Sequence, residues 1–130
     1  MKTSNFQFES PVLEELVFAV NPKFKASNEN IEMKNAFHTD VKRVENQRVA
    51  KVSLTLTINE TEEDVPFNLR IRLSALFRWN DSLSDEAVDA MLKINASALL
   101  LSYMRPIVSN VTNYSRFPSY NLPFVNFVDG

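Results

Sequence analysis

Two runs near the middle of the chain, Val49–Asn59 and Pro66–Trp79, change character at nearly every residue. In the first, Ala50, Val52, Leu54, Leu56 and Ile58 alternate with Lys51, Ser53, Thr55, Thr57 and Asn59. In the second, Phe67, Leu69, Ile71, Leu73, Ala75, Phe77 and Trp79 alternate with Asn68, Arg70, Arg72, Ser74 and Arg78. A period of two is the spacing of side chains on a strand, and a helix would scatter these residues around its axis. The acidic stretch Glu60–Asp64 between the runs is too short for a crossover, so the two strands pair antiparallel. One face of each is apolar and the other polar, which predicts a sheet covered on one side and wet on the other.

Earlier residues add two more strands. Residues 5–20 alternate in two pieces: Phe6 and Phe8 share a face, and after Pro11 so do Leu16, Phe18 and Val20. They read as one strand with Pro11 at an edge or a bulge, where a missing backbone donor does least harm. Asn21-Pro22 ends it, and residues 22–30 read as a polar connection. Ile31–Val44 alternates again, with Ile31, Met33, Phe37 and Val41 opposite Glu32, Lys34, His38, Asp40 and Lys42, and Asn35 as a flaw on the apolar face. Val44–Arg48 reads as a turn.

Ser84 is a helix N-cap, with Asp85 and Glu86 in the first turn where negative charge suits the helix dipole. Val88, Met91 and Leu92 lead into a broad apolar surface through Leu101, and Ile107, Val108 and Val111 continue it to about Ser115. Pro106 is expected to kink or divide this helix near Tyr103. The fold class is α+β: a four-stranded antiparallel sheet, one long, kinked helix, then an extended segment. Residues 1–130 show no repeat or linker and read as a single domain.

Composition removes several functional classes. The one glycine is Gly130, so no glycine-rich phosphate loop can form, and turns at positive φ fall to Asn or Asp, with Asn28–Asn30 and Asn80-Asp81 the expected places. There is no cysteine, hence no disulfide and no thiolate chemistry. A net charge of −2 without a basic stripe argues against nucleic acid as a partner. The start, MKTSNFQFES, has no apolar core of signal-peptide type. The stretch Ala96–Met104, interrupted by Ser97 and Ser102, is far short of the ~20 residues that span a bilayer. A cytoplasmic protein without membrane insertion is expected.

His38 is the only histidine and has no convergent partner, so it reads as a surface residue rather than a base or metal ligand. Glu60–Asp64 reads as a solvated turn rather than a cation site, and Arg70, Arg72 and Arg78 as charges on a wet sheet face rather than an anion patch. No catalytic residue, metal or cofactor is assigned, and an enzyme is not expected.

The segment Arg116–Phe127 is unusual. Pro118 and Pro123 forbid a helix and push their predecessors towards extended backbone. Yet Phe117, Tyr120, Leu122, Phe124, Val125 and Phe127 supply far more apolar surface than a solvated loop carries. Closing a core accounts for part of it. Two apolar sheet faces, a broadly apolar helix and this segment exceed what one sheet and one helix hide between them. Self-association, a bound chain, or both take up the excess.

Tyr103-Met104-Arg105 on a helix, followed by Phe117-Pro118-x-x-Asn121-Leu122-x-x-Val125-Asn126-Phe127, resembles the long helix and crossover loop of the SecB protein-export chaperones. Leu13-x-x-Leu16-x-Phe18 followed by Asn21-Pro22 is similar to that family's first strand, and Phe67-x-x-x-Ile71 through Phe77 to its fourth. The resemblance implies an ATP-independent chaperone assembled as a tetramer, a dimer of dimers, that holds unfolded polypeptide clients in long apolar grooves. It places client binding on Phe117, Tyr120, Leu122, Phe124 and Phe127. Docking to the motor ATPase SecA falls on Glu15, which is kept, and on Ala19 and Arg70, where the acidic residues are lost and reversed. The chain stops at Gly130, so the family's second helix and acidic tail are expected to be missing. These departures argue against export through SecA. They favour as the alternative a dedicated interaction module of the same fold, with one fixed partner, as in SecB-like proteins of toxin–antitoxin systems or mobile elements.

Overall fold

The structure, a computed structural model, describes residues 4–25 and 31–128. Five strands, β1 (Phe6–Phe8), β2 (Val12–Val20), β3 (Asn35–Arg43), β4 (Val49–Ile58) and β5 (Phe67–Trp79), form one antiparallel sheet. The expected hairpin is present: β4 and β5 pair from Val49↔Arg78 to Ile58↔Leu69. β3 lies outside β4, while β1 and β2 lie end to end along the other side of β5.

The single N-terminal strand expected from sequence is therefore two. Pro11 separates them, and the register slips again between Leu13 and Glu15, leaving Glu14 as an extra residue on the outer face. The sheet is still four strands wide, but it holds one strand more than the alternation implied. β3 is also shorter than the expected Ile31–Val44, because residues 31–34 lie outside the ladder.

After β5, Ser84 caps α1 (Asp85–Ala90) by accepting from the Ala87 N–H at 3.1 Å. A π-helical turn at Met91–Asn95 joins it directly to α2 (Ala96–Thr112). Pro106 does not divide α2; the change of helical period falls at the π turn instead. Ser97 is fully buried and donates to the carbonyl of Lys93 at 2.7 Å, taking up an acceptor at the irregular turn.

The helix lies over β4 and β5. Val52, Leu54, Leu56, Ile58, Ile71, Leu92, Leu100, Met104 and Val108 are all fully buried between them. Each such side chain contributes about 1.5–3 kcal/mol by leaving water.

The other sheet face is not simply wet. Ser53, Thr55, Thr57 and Ser74 are buried there, roofed by longer charged neighbours. Glu14 pairs with Lys51 at 2.8 Å and with Arg72 at 3.0 Å, and Arg72 also donates to the Ser53 hydroxyl at 3.3 Å. The bonds from Lys51, then Ser74 and Arg72, hold the Glu14 carboxyl at a pKa of about 2, well below its ordinary 4.5.

Among the described residues, Asn46 (61°) and Asn59 (57°) take positive φ. Asparagine does take the place of glycine, but not at Asn80-Asp81, and Asn28–Asn30 lie outside the described residues. Asn59 is fully buried and ties three strand ends together. It accepts from the Lys34 N–H at 3.0 Å and donates to the Phe67 carbonyl at 3.1 Å.

Candidate functional site

The segment after α2 turns back along the helix, and its polar atoms show where it is fixed. Arg116 donates to the carbonyls of Asn21, Pro22 and Phe24 at 3.3–3.4 Å. Phe117 packs edge-on against Phe24, with ring centres 5.2 Å apart. Further along, the Tyr120 N–H donates to Thr112 Oγ1 and its hydroxyl accepts from Asn35 Nδ2, both at 2.8 Å. The flaw read at Asn35 is thus an anchor for the segment. Arg105, in the middle of α2, grips the carbonyls of Leu122 and, at 2.8 Å, Pro123.

Beyond Arg105 the segment behaves differently. Phe124 is 102% exposed, its ring near the Arg105 guanidinium at 5.9 Å. Phe127 meets Phe37 of β3 edge-on at 6.2 Å. Between β3, the π turn and residues 125–128 lies a groove of about 660 Å³, with Phe37, Val41, Ile94, Val125 and Phe127 on its walls. His38 and Lys93 also line it.

β3 ends the sheet, so this groove lies beside an open strand edge. The Val44 N–H donates to Val49 and the Asn59 N–H donates to Lys34, each at 2.9 Å. By the antiparallel alternation, even-numbered residues of β3 bond to β4. Asn35, Phe37, Thr39, Val41 and Arg43 turn their N–H and C=O groups outward. Among the described residues no strand takes them. Thr39 is itself held in place, its hydroxyl bonded at 2.8 Å to Ser97 below the π turn.

The residues named for client binding therefore separate. Phe117, Tyr120 and Leu122 pack inward, Phe124 stands in solvent, and Phe127, half-buried against the core, borders the groove. Glu15 and Arg70 lie on the opposite sheet face, ion-paired with each other, and Arg70 also reaches Glu60 at 3.7 Å. Sequence reasoning missed Phe37, Val41, Lys93 and Ile94 as a site. The alternation of β3 marked Phe37 and Val41 as apolar, but nothing in it marked β3 as an edge. No cluster of His, Asp or Glu suited to a metal occurs among the described residues. No helix among them is long and apolar enough to cross a membrane.

A helix-backed antiparallel sheet with an apolar groove beside an edge strand defines an α+β fold. Residues 4–129 match the family model of the preprotein translocase subunit SecB, and the chain belongs to that family, one of chaperones rather than enzymes. It is 36% identical over 80 residues to the protein-export protein SecB of Idiomarina loihiensis, an alignment covering 61% of this chain and 48% of that protein. It is 32% identical over 92 residues to SecB of Dinoroseobacter shibae, covering 68% and 53%. The chain matches about half the length of these curated relatives. Among solved structures, the SecB-like chaperone Rv1957 of Mycobacterium tuberculosis, in complex with a ChAD peptide from the HigA1 antitoxin, shares the fold. Its TM-score is 0.75 at 16% identity, over 94% of this chain and 91% of that one.

Proposed function

We propose that this protein is an ATP-independent, non-catalytic chaperone that takes up unfolded or extended polypeptide in the groove between β3, the π turn and residues 125–128. The observation that carries this reading is the apolar groove lying directly beside the outward amides of β3. An extended chain added to that edge would gain backbone hydrogen bonds while alternate side chains entered the groove. Phe124 and Phe127 would extend its apolar surface.

The reading includes self-assembly as a homo-oligomer. Along the other sheet edge, Phe8, Val12, Leu13, Leu16 and Val17 are exposed, with Tyr103 of α2 against Phe8. That is more apolar surface than an edge strand leaves in water. A dimer of dimers of 14.9 kDa chains has a mass of about 60 kDa. Docking to SecA through the outer sheet face is not part of the reading, since Glu15 is neutralised by Arg70 there. A cytoplasmic location goes with it.

The test is light scattering behind a sizing column, with and without a reduced, unfolded client protein and in the absence of nucleotide. A species near 60 kDa that gains mass with the client is expected. A species that ignores several unfolded clients would contradict the chaperone reading.

A further inference from the structure

The π turn decides which side chains of the helix reach the sheet. Counted back from the buried Leu100 in ordinary α-helical turns, two turns arrive at Lys93 and three at Asp89. Both are exposed; Leu92 and Val88, one residue earlier in each case, lie in the core instead. The wider turn at Met91–Asn95 takes up the extra residue. It keeps an ammonium and a carboxylate out of the core, and it sets Lys93 and Ile94, with Ala90, along the groove opposite β3.

Hydroxyls join this turn to β3. Ser97 is fully buried, and its one proton goes to the Lys93 carbonyl at 2.7 Å, an oxygen that can only accept. The 2.8 Å contact between Ser97 and Thr39 must then use the Thr39 proton, so Thr39 donates. A directed chain therefore runs from β3 through Ser97 to a carbonyl of the π turn. Thr39 lies midway along the outward-facing amides of β3, between Phe37 and Val41.

From this we infer that Thr39 is a positioning residue for client capture: through Ser97 its hydroxyl holds the π turn, and with it the groove wall, in place beside the strand edge that the client joins. The inference rests on the chaperone reading and adds a residue to it that acts through another side chain rather than on the client's. A π turn is an uncommon helix geometry, met as single turns and often at functional sites. Released from β3, this one would move among arrangements, and a client would have to order the wall as it bound. The hydroxyl chain makes that ordering part of the fold.

The experiment compares Thr39→Val, Thr39→Ser and Ser97→Ala with the wild type. Affinity is read from the anisotropy of a fluorescent, reduced and carboxymethylated lactalbumin, and the turn from hydrogen exchange of the Ala96 amide, which is bonded to the Met91 carbonyl across it. Thr39→Val keeps the branched shape at a half-buried strand position and should fold normally. It should bind the client about fivefold more weakly, the worth of one hydrogen bond, and its Ala96 amide should exchange faster. Thr39→Ser keeps the hydroxyl and should restore both readouts. Ser97→Ala should weaken binding to a similar degree, and adding Thr39→Val to it should weaken binding no further, since both break one chain. Wild-type affinity in Thr39→Val, a loss shared by Thr39→Ser, or losses that add in the double variant would overturn the positioning role while leaving client capture standing. If the wild type takes up no client, capture itself fails and this inference with it.

Discussion

Residues 116–122 and 123–128 are neighbours of similar composition, and the fold uses them in opposite ways. In the first half, Phe117 lies on Phe24, Tyr120 is bonded to Asn35 and Thr112, and Leu122 is buried at 6% exposure. In the second, Phe124 stands in solvent and Phe127 borders the groove. The division falls at Arg105, which grips the Leu122 and Pro123 carbonyls on either side of it. An aromatic residue in an extended segment is thus a core element or a binding element according to what its backbone is tied to. The two halves should respond to substitution in different currencies, stability for the first and binding for the second.

The largest effect is expected at Leu122→Ala, which empties a buried site and should cost about 2–4 kcal/mol in urea unfolding. A cost under about 1 kcal/mol would mean that the first half is not part of the core. Phe127→Ser gives up a half-buried ring packed on Phe37, so it should cost about 1–2 kcal/mol, less than Leu122→Ala, and weaken binding of an unfolded client about tenfold. Phe124→Ser should do the same to a smaller extent. Loss of stability with binding intact would reverse the assignment of the halves. Tyr120→Phe removes the acceptor for Asn35 Nδ2, in a side chain whose Oδ1 is already buried without a partner, and should cost about 1–3 kcal/mol at unchanged client affinity.

The smallest effect concerns the outer sheet face and lies outside both halves. The Glu14 carboxyl titrates near 2 in the folded protein and near 4.5 when freed, so the folded state binds its proton less readily. Its stabilisation is full above about pH 4.5 and is lost as the pH falls towards 2. Thermal melts should show this decline in the wild type and a flatter profile in Glu14→Gln.

The strands were legible because each alternation met a sheet with one apolar side. The paired strands β4 and β5 kept their expected partners and direction, since a short acidic turn left no other solution. The split at Pro11 was visible as punctuation, but the bulge at Glu14 was not, because it depends on how β2 meets Arg72. The burial of Ser53 and Thr55 was hidden for a similar reason: their cover comes from ion pairs made across strands. Asparagine was correctly expected to replace glycine at positive φ. Its positions, Asn46 and Asn59, depend on where the ladders end. The aromatic segment was legible as an element that must lie on something. Its division was not, since Arg105 acts from a helix and Phe24 from the turn after β2. The groove was least visible of all, because it joins β3 to a π turn that no periodicity announces.

The central claim is that an extended chain adds to the edge of β3. Hydrogen exchange, read with and without a saturating unfolded client, tests it most directly. The outward amides of Phe37, Thr39 and Val41 should exchange freely in the unliganded protein and become protected when client is bound, while the amides already bonded to β4 change little. Protection confined to β2, or client binding with no change at β3, would contradict it.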